Sequence, residues 1–291
     1  MQQLLQLLVN GVALGSVYAL AALGFVIVYS ATGVVNFAAG QFVMLGTFFG
    51  VAAIVQAHFP IALGYLAAVI GMALFGVLFF LGVHLPLRKR PVVSVIIGTV
   101  AIGIVMQNAA LLIWGPWPAR LPSPFGDTAI SIAGAAISMH ALATIVITAL
   151  LIAALYALLY RTGIGRSMRA IAQDSEAARL IGLPVTLTLI VTWVLAAACS
   201  AFAGLLVGPM WFADVNMGEP VALKAFAATV IGGFGSVQGA ILGGLFVGLV
   251  EILGASYLTS TYKDLLAFGV MIAFLLVRPQ GIFGERIGDR G

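Results

Sequence analysis

The sequence predicts an all-α, polytopic helical bundle of an inner membrane, and three observations predict it. Of the 291 residues, 63% are hydrophobic and only 8% charged, where an ordinary soluble domain is roughly 25% charged. No Lys, Arg, Asp or Glu precedes Arg88, so the chain before it has no charged face to offer to water. The charge that follows is gathered between apolar runs. Arg88, Lys89 and Arg90, then Arg161, Arg166, Arg169 and Arg179, then Arg278, Arg286 and Arg290 account for ten of the 13 basic residues. The positive-inside rule puts all three clusters on the cytoplasmic side. The net charge of +4 therefore reflects topology rather than a surface for nucleic acid.

The opening MQQLLQLLVN lacks a positive n-region, and its apolar run is too long for the h-region of a cleaved signal, so it is expected to remain as a span. Leu4 to Tyr29 would be about 39 Å long as a helix, against a hydrocarbon core of about 30 Å, and so spans with tilt or an interfacial turn. Gly11, Gly15 and Ala19 recur every fourth residue, with Ala22 on the same side, and allow another helix to approach closely. After a break at Ser30 to Asn36, the second segment, Asn36 to Gln56, opens on NFAAGQF. That places Asn36 and Gln41 near membrane depth, where amides need partners or a hydrated path.

A turn at His58 to Pro60 leads into the third span, Ile61 to Leu85, which ends at the first basic cluster. Val92 to Trp114 is the fourth, with Gln107 and Asn108 at its centre. The stretch from Gly115 to Ser138 is rich in Pro and Gly, has Trp114 and Trp117 at aromatic-belt level, and carries only Arg120 and Asp127 as charges, as expected of an outer connection. Met139 to Tyr160 returns to the cytoplasm, and Thr186 to Trp211 goes out again. Asp214 and Glu219 lie in the next outer loop, with Lys224 at its end. Ala225 to Leu253 is apolar but broken by GGFGSVQG, Gly232 to Gly239. If the tail is cytoplasmic and Tyr262 to Val277 spans, this segment begins and ends outside, which two short helices folded as a re-entrant pair would satisfy. The count is about seven or eight spans plus the glycine-broken segment, in one transmembrane domain over 1–291 with a cytoplasmic loop at 161–184. A weak likeness between TGVVNFAAGQFVMLG and GGFGSVQGAILGG hints at an internal repeat, although helix packing alone accounts for it.

The loop from Arg161 to Pro184 is the one long polar interruption, and its cues are those of folded structure. Asp174 or Ser175 can cap a short helix with Glu176 in its first turn, and Gly182 followed by Pro184 supplies a stop. Ala177, Ala178 and Ile181 fall on one face, with Glu176 and Arg179 elsewhere. Two turns are too few to be stable alone in water. Such a helix leans on the rest of the chain or on another protein.

No catalytic chemistry emerges. Gly233, Gly235 and Gly239 lack the Lys and Ser/Thr of a phosphate loop, and Ser236 is not in a nucleophile elbow. Cys199 is the single cysteine and cannot form an internal disulfide, and His58, His84 and His140 are too scattered for a metal site. No cofactor is expected. Glu251 is the one acid well inside an apolar segment, where a charge costs about 2.5–3.5 kcal/mol at the bilayer centre. It is interfacial, paired or protonated, or else it is the coupling acid of an ion-gradient-driven secondary carrier. The scarcity of other intramembrane acids favours energy supplied from elsewhere.

Four stretches in order carry a family resemblance: NGVALGSVYALAALGFVIVYSATGVVNFAAGQFVMLG, RAIAQDSEAARLIGLP, VIGGFGSVQGAILGGLFVGLVE and RPQGIFG. The chain resembles the permease subunits of bacterial ABC importers for branched-chain amino acids, within the wider group that includes ribose-type sugar permeases. It departs from the sugar relatives in having Gln173 and Asp174 where a Gly-Asn pair is frequent. The resemblance implies that the middle loop docks in a groove of a cytoplasmic ATPase. Asp174, Glu176, Ala177, Ala178 and Gly182 would form the coupling helix, with Arg169 and Arg179 beside it. It also implies a second homologous permease subunit, two cytoplasmic ATPase subunits and a periplasmic substrate-binding protein, all around a chain that is not itself an enzyme. The setting would be the bacterial inner membrane with its lipid, with the C-terminus cytoplasmic and no nucleic-acid partner. Asn36, Gln41, Gln107 and Asn108 are the candidates for a hydrated translocation path.

Overall fold

The computed structural model describes residues 2–126, 128–132, 134–258, 263–278 and 280–283. Asp127, Tyr262, Arg286 and Arg290, named above, lie outside the described residues. In chain order the elements are α1 (Gln2–Thr32), α2 (Ala39–Gln56), α3 (Ile61–Leu87), α4 (Val92–Trp114), a hairpin of β1 (Ala129–Ile132) and β2 (Ala135–Ser138), α5 (Met139–Arg161), α6 (Gly163–Gln173), α7 (Ser175–Leu180), α8 (Val185–Trp211), α9 (Gly218–Gly232), α10 (Val237–Tyr257) and α11 (Lys263–Val277). Seven of them, α1 to α5, α8 and α10, are long and apolar enough to cross a membrane, and the chain is a multi-pass helical membrane protein. The hairpin, with Ala129 opposite Ser138 and Ile130 opposite Ile137, was not foreseen. Its four-residue strands are too short to stand out within a connection read from its Pro and Gly content.

The core is built around α1, which is buried from Ala13 to Val28. The small-residue row of α1 meets a matching row on α10. A Cβ on Gly15 would lie 2.7 Å from Leu245 Cα and 2.9 Å from Gly244 O, and one on Gly248 would collide with the backbone of Gly15. Lipid tails are as apolar as Leu, so helix association in a membrane rests on such close approach. Around this centre α3, α4 and α5 are peripheral. Leu63, Leu66, Ile70, Leu74 and Leu78 of α3 are all exposed, at the spacing of one outward face.

The glycine-broken segment is α9 and α10, antiparallel around a turn at 233–236. Gly232 and Gly239 touch backbone to backbone, Gly233 and Gly235 take φ of 104° and 84°, and Ser236 caps α10 by accepting from Gly239 N at 3.0 Å. The 21 residues of α10 make about 31 Å, enough for a span, whereas the 15 of α9 make about 22 Å. The turn lies beside the last turn of α1, with the Phe234 and Tyr29 rings 5.2 Å apart. Ile282 N and Phe283 N close over it by donating to Ile231 O and Gly232 O, both at 2.9 Å.

A second break lies inside the bundle. α2 and α9 begin against one another at Gly40 and Gly218, both buried, and neither glycine has room for a Cβ.

Candidate functional site

The loop between α5 and α8 holds two helices, where the sequence suggested one. Thr162 Oγ1 accepts from Gly165 N at 3.1 Å and starts α6. Gly165 sits on the last carbonyls of α5, where a Cβ would strike Leu159 O, so the fold-back requires glycine. Met168 and Ile171 then turn inward as the buried stripe of α6. Arg169 donates from Nη1 to Leu159 O and lies 4.9 Å over the Tyr160 ring. Its guanidinium thus holds α6 against α5. The Thr162 cap and the three-residue spacing of Met168 and Ile171 were the available signals for this helix.

Asp174 caps α7 as its residue type predicts: Oδ1 accepts from Glu176 N at 2.9 Å and from Ala177 N at 3.0 Å. Gly182 ends the helix at φ 83°, with Gly182 N donating to Arg179 O and Leu183 N to Ala178 O, both at 3.0 Å. The expected face is divided. Ala178 is buried against the bundle, whereas Ala177 is exposed and Ile181 is 75% exposed. Ala177 and Ile181 are four residues apart and stay on one side, while Ala178, one residue on, is turned by about 100° toward the bundle. Ala177, Leu180 (88% exposed) and Ile181 thus form an apolar edge between the exposed Glu176 and Arg179. Leu180 was not among the expected residues. Glu176 and Arg179 also line a groove of about 510 Å³ together with Arg88, Arg90 and Thr32. Two of the three basic clusters therefore meet at one end of the bundle, beside the end of α1.

The four amides are only partly brought together. Asn36 is buried and accepts at Oδ1 from Ala38 N at 3.1 Å, while Phe37 N donates to Thr99 Oγ1 at 3.3 Å. Both bonds shape the entry into α2. Gln41 packs its stem on Gly103 of α4 and its amide on Gly218, and its Oε1 is buried without a hydrogen-bond partner among the described residues. One turn beyond Gly103, Gln107 Nε2 donates to Asn216 Oδ1 at 2.9 Å. Gln41, Gln107 and Asn216 thus form a polar seam where α2, α4 and α9 meet. Asn108 points away from it, exposed, with Nδ2 donating to Ile104 O at 2.8 Å. Asn216 escaped the sequence reading because it sits among the polar residues of a connection.

A third polar cluster is buried. Lys224 is 1% exposed and Glu251 2%; Nζ donates to Glu251 Oε1 at 2.6 Å and pairs with Asp264 Oδ1 at 2.9 Å. The Tyr18 hydroxyl donates to Glu251 Oε2 at 2.7 Å, and Nζ lies 5.7 Å from the Tyr18 ring and 5.6 Å from that of Trp211. Lys224 was expected at the end of an outer loop but lies two turns into α9. Glu251 is paired, as one reading of it required. Among the described residues no group of three or more His, Cys, Asp or Glu could hold a metal ion.

The family described as "Branched-chain amino acid transport system / permease component" matches residues 7–275. The high-affinity branched-chain amino acid transport system permease protein LivH of Salmonella typhimurium is 34% identical, over 97% of this chain and 96% of its own. BraD of Pseudomonas aeruginosa, which carries the same description, is 35% identical over the same shares. A probable LivH of Methanocaldococcus jannaschii is 31% identical over 91% and 88%. Among solved structures, PsaBC from Streptococcus pneumoniae in complex with Fab has a similar fold, with TM-score 0.51 over 97% of this chain and 94% of that one, at 13% identity.

Proposed function

From the premise that the chain belongs to the branched-chain amino acid transport permease family, we propose that it forms half of the translocation pathway of an ATP-driven importer for branched-chain or related amino acids in the bacterial inner membrane. A second, homologous permease subunit supplies the other half, two ATPase subunits bind on the cytoplasmic side, and a periplasmic binding protein delivers the substrate. ATP is hydrolysed on the separate subunits. The positive-inside rule orients the bundle so that α6, α7 and the C-terminus are cytoplasmic.

The observation that carries this reading is α7. A helix of six residues, capped at both ends, held to the bundle by Ala178 and showing Leu180 and Ile181 to water, is a surface suited to a groove on another protein. Closure of the ATPase pair would move 161–184 as a unit, because Gly165, Arg169 and the buried Met168 and Ile171 fix α6 to α5, and switch the spans between inward- and outward-open states. The seam of Gln41, Gln107 and the exposed Asn216 offers hydrogen-bonding groups to a zwitterion. The bond from Tyr18 and the contact with Lys224 occupy the Glu251 carboxylate, which counts against a coupling acid for a secondary carrier. Replacing Glu176 by Arg, or Ala177 by Trp, should abolish ATP-dependent uptake while the chain still inserts and pairs. Unchanged uptake would remove the coupling role.

A further inference from the structure

We propose that the groove between α1, α5 and α10 binds one acyl chain of an anionic phospholipid, with Arg161 holding the headgroup phosphate. The groove encloses about 610 Å³. Its floor on α5 is a row at every fourth residue, Ala149, Ala153 and Ala157, all exposed, and the same row ends at Arg161. Opposite stand Ala19 of α1 and Leu245 of α10. Methyl side chains are too short to bridge to α10, so the three helices leave a trough open to the membrane.

The dimensions fit a lipid tail. From Ala149 to Arg161 the row runs about 18 Å, slightly more than the roughly 15 Å that is half of the hydrocarbon core, so it reaches from the interface to the bilayer centre. The charge fits as well. Arg161 has no carboxylate partner among the described residues, and a guanidinium matches a phosphate in bidentate fashion. Tyr156, exposed and lining the same trough, puts a phenol at the level where aromatic belts form. A zwitterionic headgroup would offer the same phosphate but cancel the attraction with its own cation, which selects the anionic lipid.

The test is native mass spectrometry of the purified full chain after exhaustive delipidation, titrated with phosphatidylglycerol or phosphatidylcholine. Wild type should keep one phosphatidylglycerol and prefer it by about five-fold, the size of one basic contact. Arg161→Gln should bring the preference close to one, Arg161→Lys, which keeps the charge but loses the fork, should restore only part of it, and Ala153→Trp, which fills the trough from an exposed position, should remove binding of both lipids. Equal binding of the two lipids by wild type would overturn the proposal. So would unchanged binding in Ala153→Trp, or a partner subunit's helix cross-linked at position 153.

Discussion

Removing Lys224 alone would leave the Glu251 carboxyl 2% exposed, bonded by Tyr18 at 2.7 Å but without its buried cation. Breaking a buried pair by deleting one partner costs about 3–5 kcal/mol, because the remaining charge loses its compensation, whereas replacing both partners by apolar groups is close to neutral. Lys224→Met and Glu251→Leu should each lower the apparent melting temperature in detergent by roughly 6–20 °C. The double replacement, which leaves only the half-exposed Asp264 and a phenol unpaired, should fall by less than either single change. The coupling from the cycle is then at least about 3 kcal/mol. Asp264→Asn is different: its side chain is 54% exposed, and an exposed pair is worth about 0–1 kcal/mol. Additive single effects at Lys224 and Glu251, or an Asp264→Asn loss as large as theirs, would refute this account of the cluster.

Asp174→Ala removes the two bonds that start α7 and should cost about 1 kcal/mol; ATPase binding in pull-downs should weaken while the melting temperature of the spans barely moves, and Asp174→Asn should retain binding. Gly15→Ala forces a methyl into the backbone of α10, so a loss of about 1–3 kcal/mol is expected, measured as a lower melting temperature, with Gly33→Ala, where nothing lies within 4 Å, as a control limited to its own backbone strain at φ 69°. Gln107→Ala and Asn216→Ala should each raise the half-saturating substrate concentration for uptake, and their combination should do little more than either alone.

The membrane environment made much of this fold legible. Lipid offers no hydrogen bonds, so a long apolar run of this kind spans as a helix and is visible in the sequence, and two of the basic clusters that stop these runs gather at one end of the bundle. Arg88 and Arg90 do meet Glu176 and Arg179, and Asp174 and Gly182 cap and stop a helix as their residue types require. Local chemistry decided these features. Even the row at Gly11, Gly15 and Ala19 announced a close neighbour.

Which neighbour was a matter for the tertiary structure, because a row of small residues says that a helix comes close without saying which one. The packing of Gly15 on Gly244 and Gly248, and of Gly40 on Gly218, joins parts of the chain some 180 to 230 residues apart. The same holds for Lys224. Along the chain, a lysine just after an outer loop reads as interfacial, since hydropathy counts its charge and cannot count its partners. Only the fold, by bringing Glu251, Asp264 and two aromatic rings around the ammonium, makes that lysine an interior residue. Asn216 likewise joins the seam only because α9 begins inside the bundle against α2. The sequence by itself determined the apolar spans, the cap and stop of α7 and the gathering of basic residues between spans, because solvation acts on each segment separately. The pairing of glycine rows, of amides and of buried charges was decided by the packed bundle, because those energies exist only between segments already brought together.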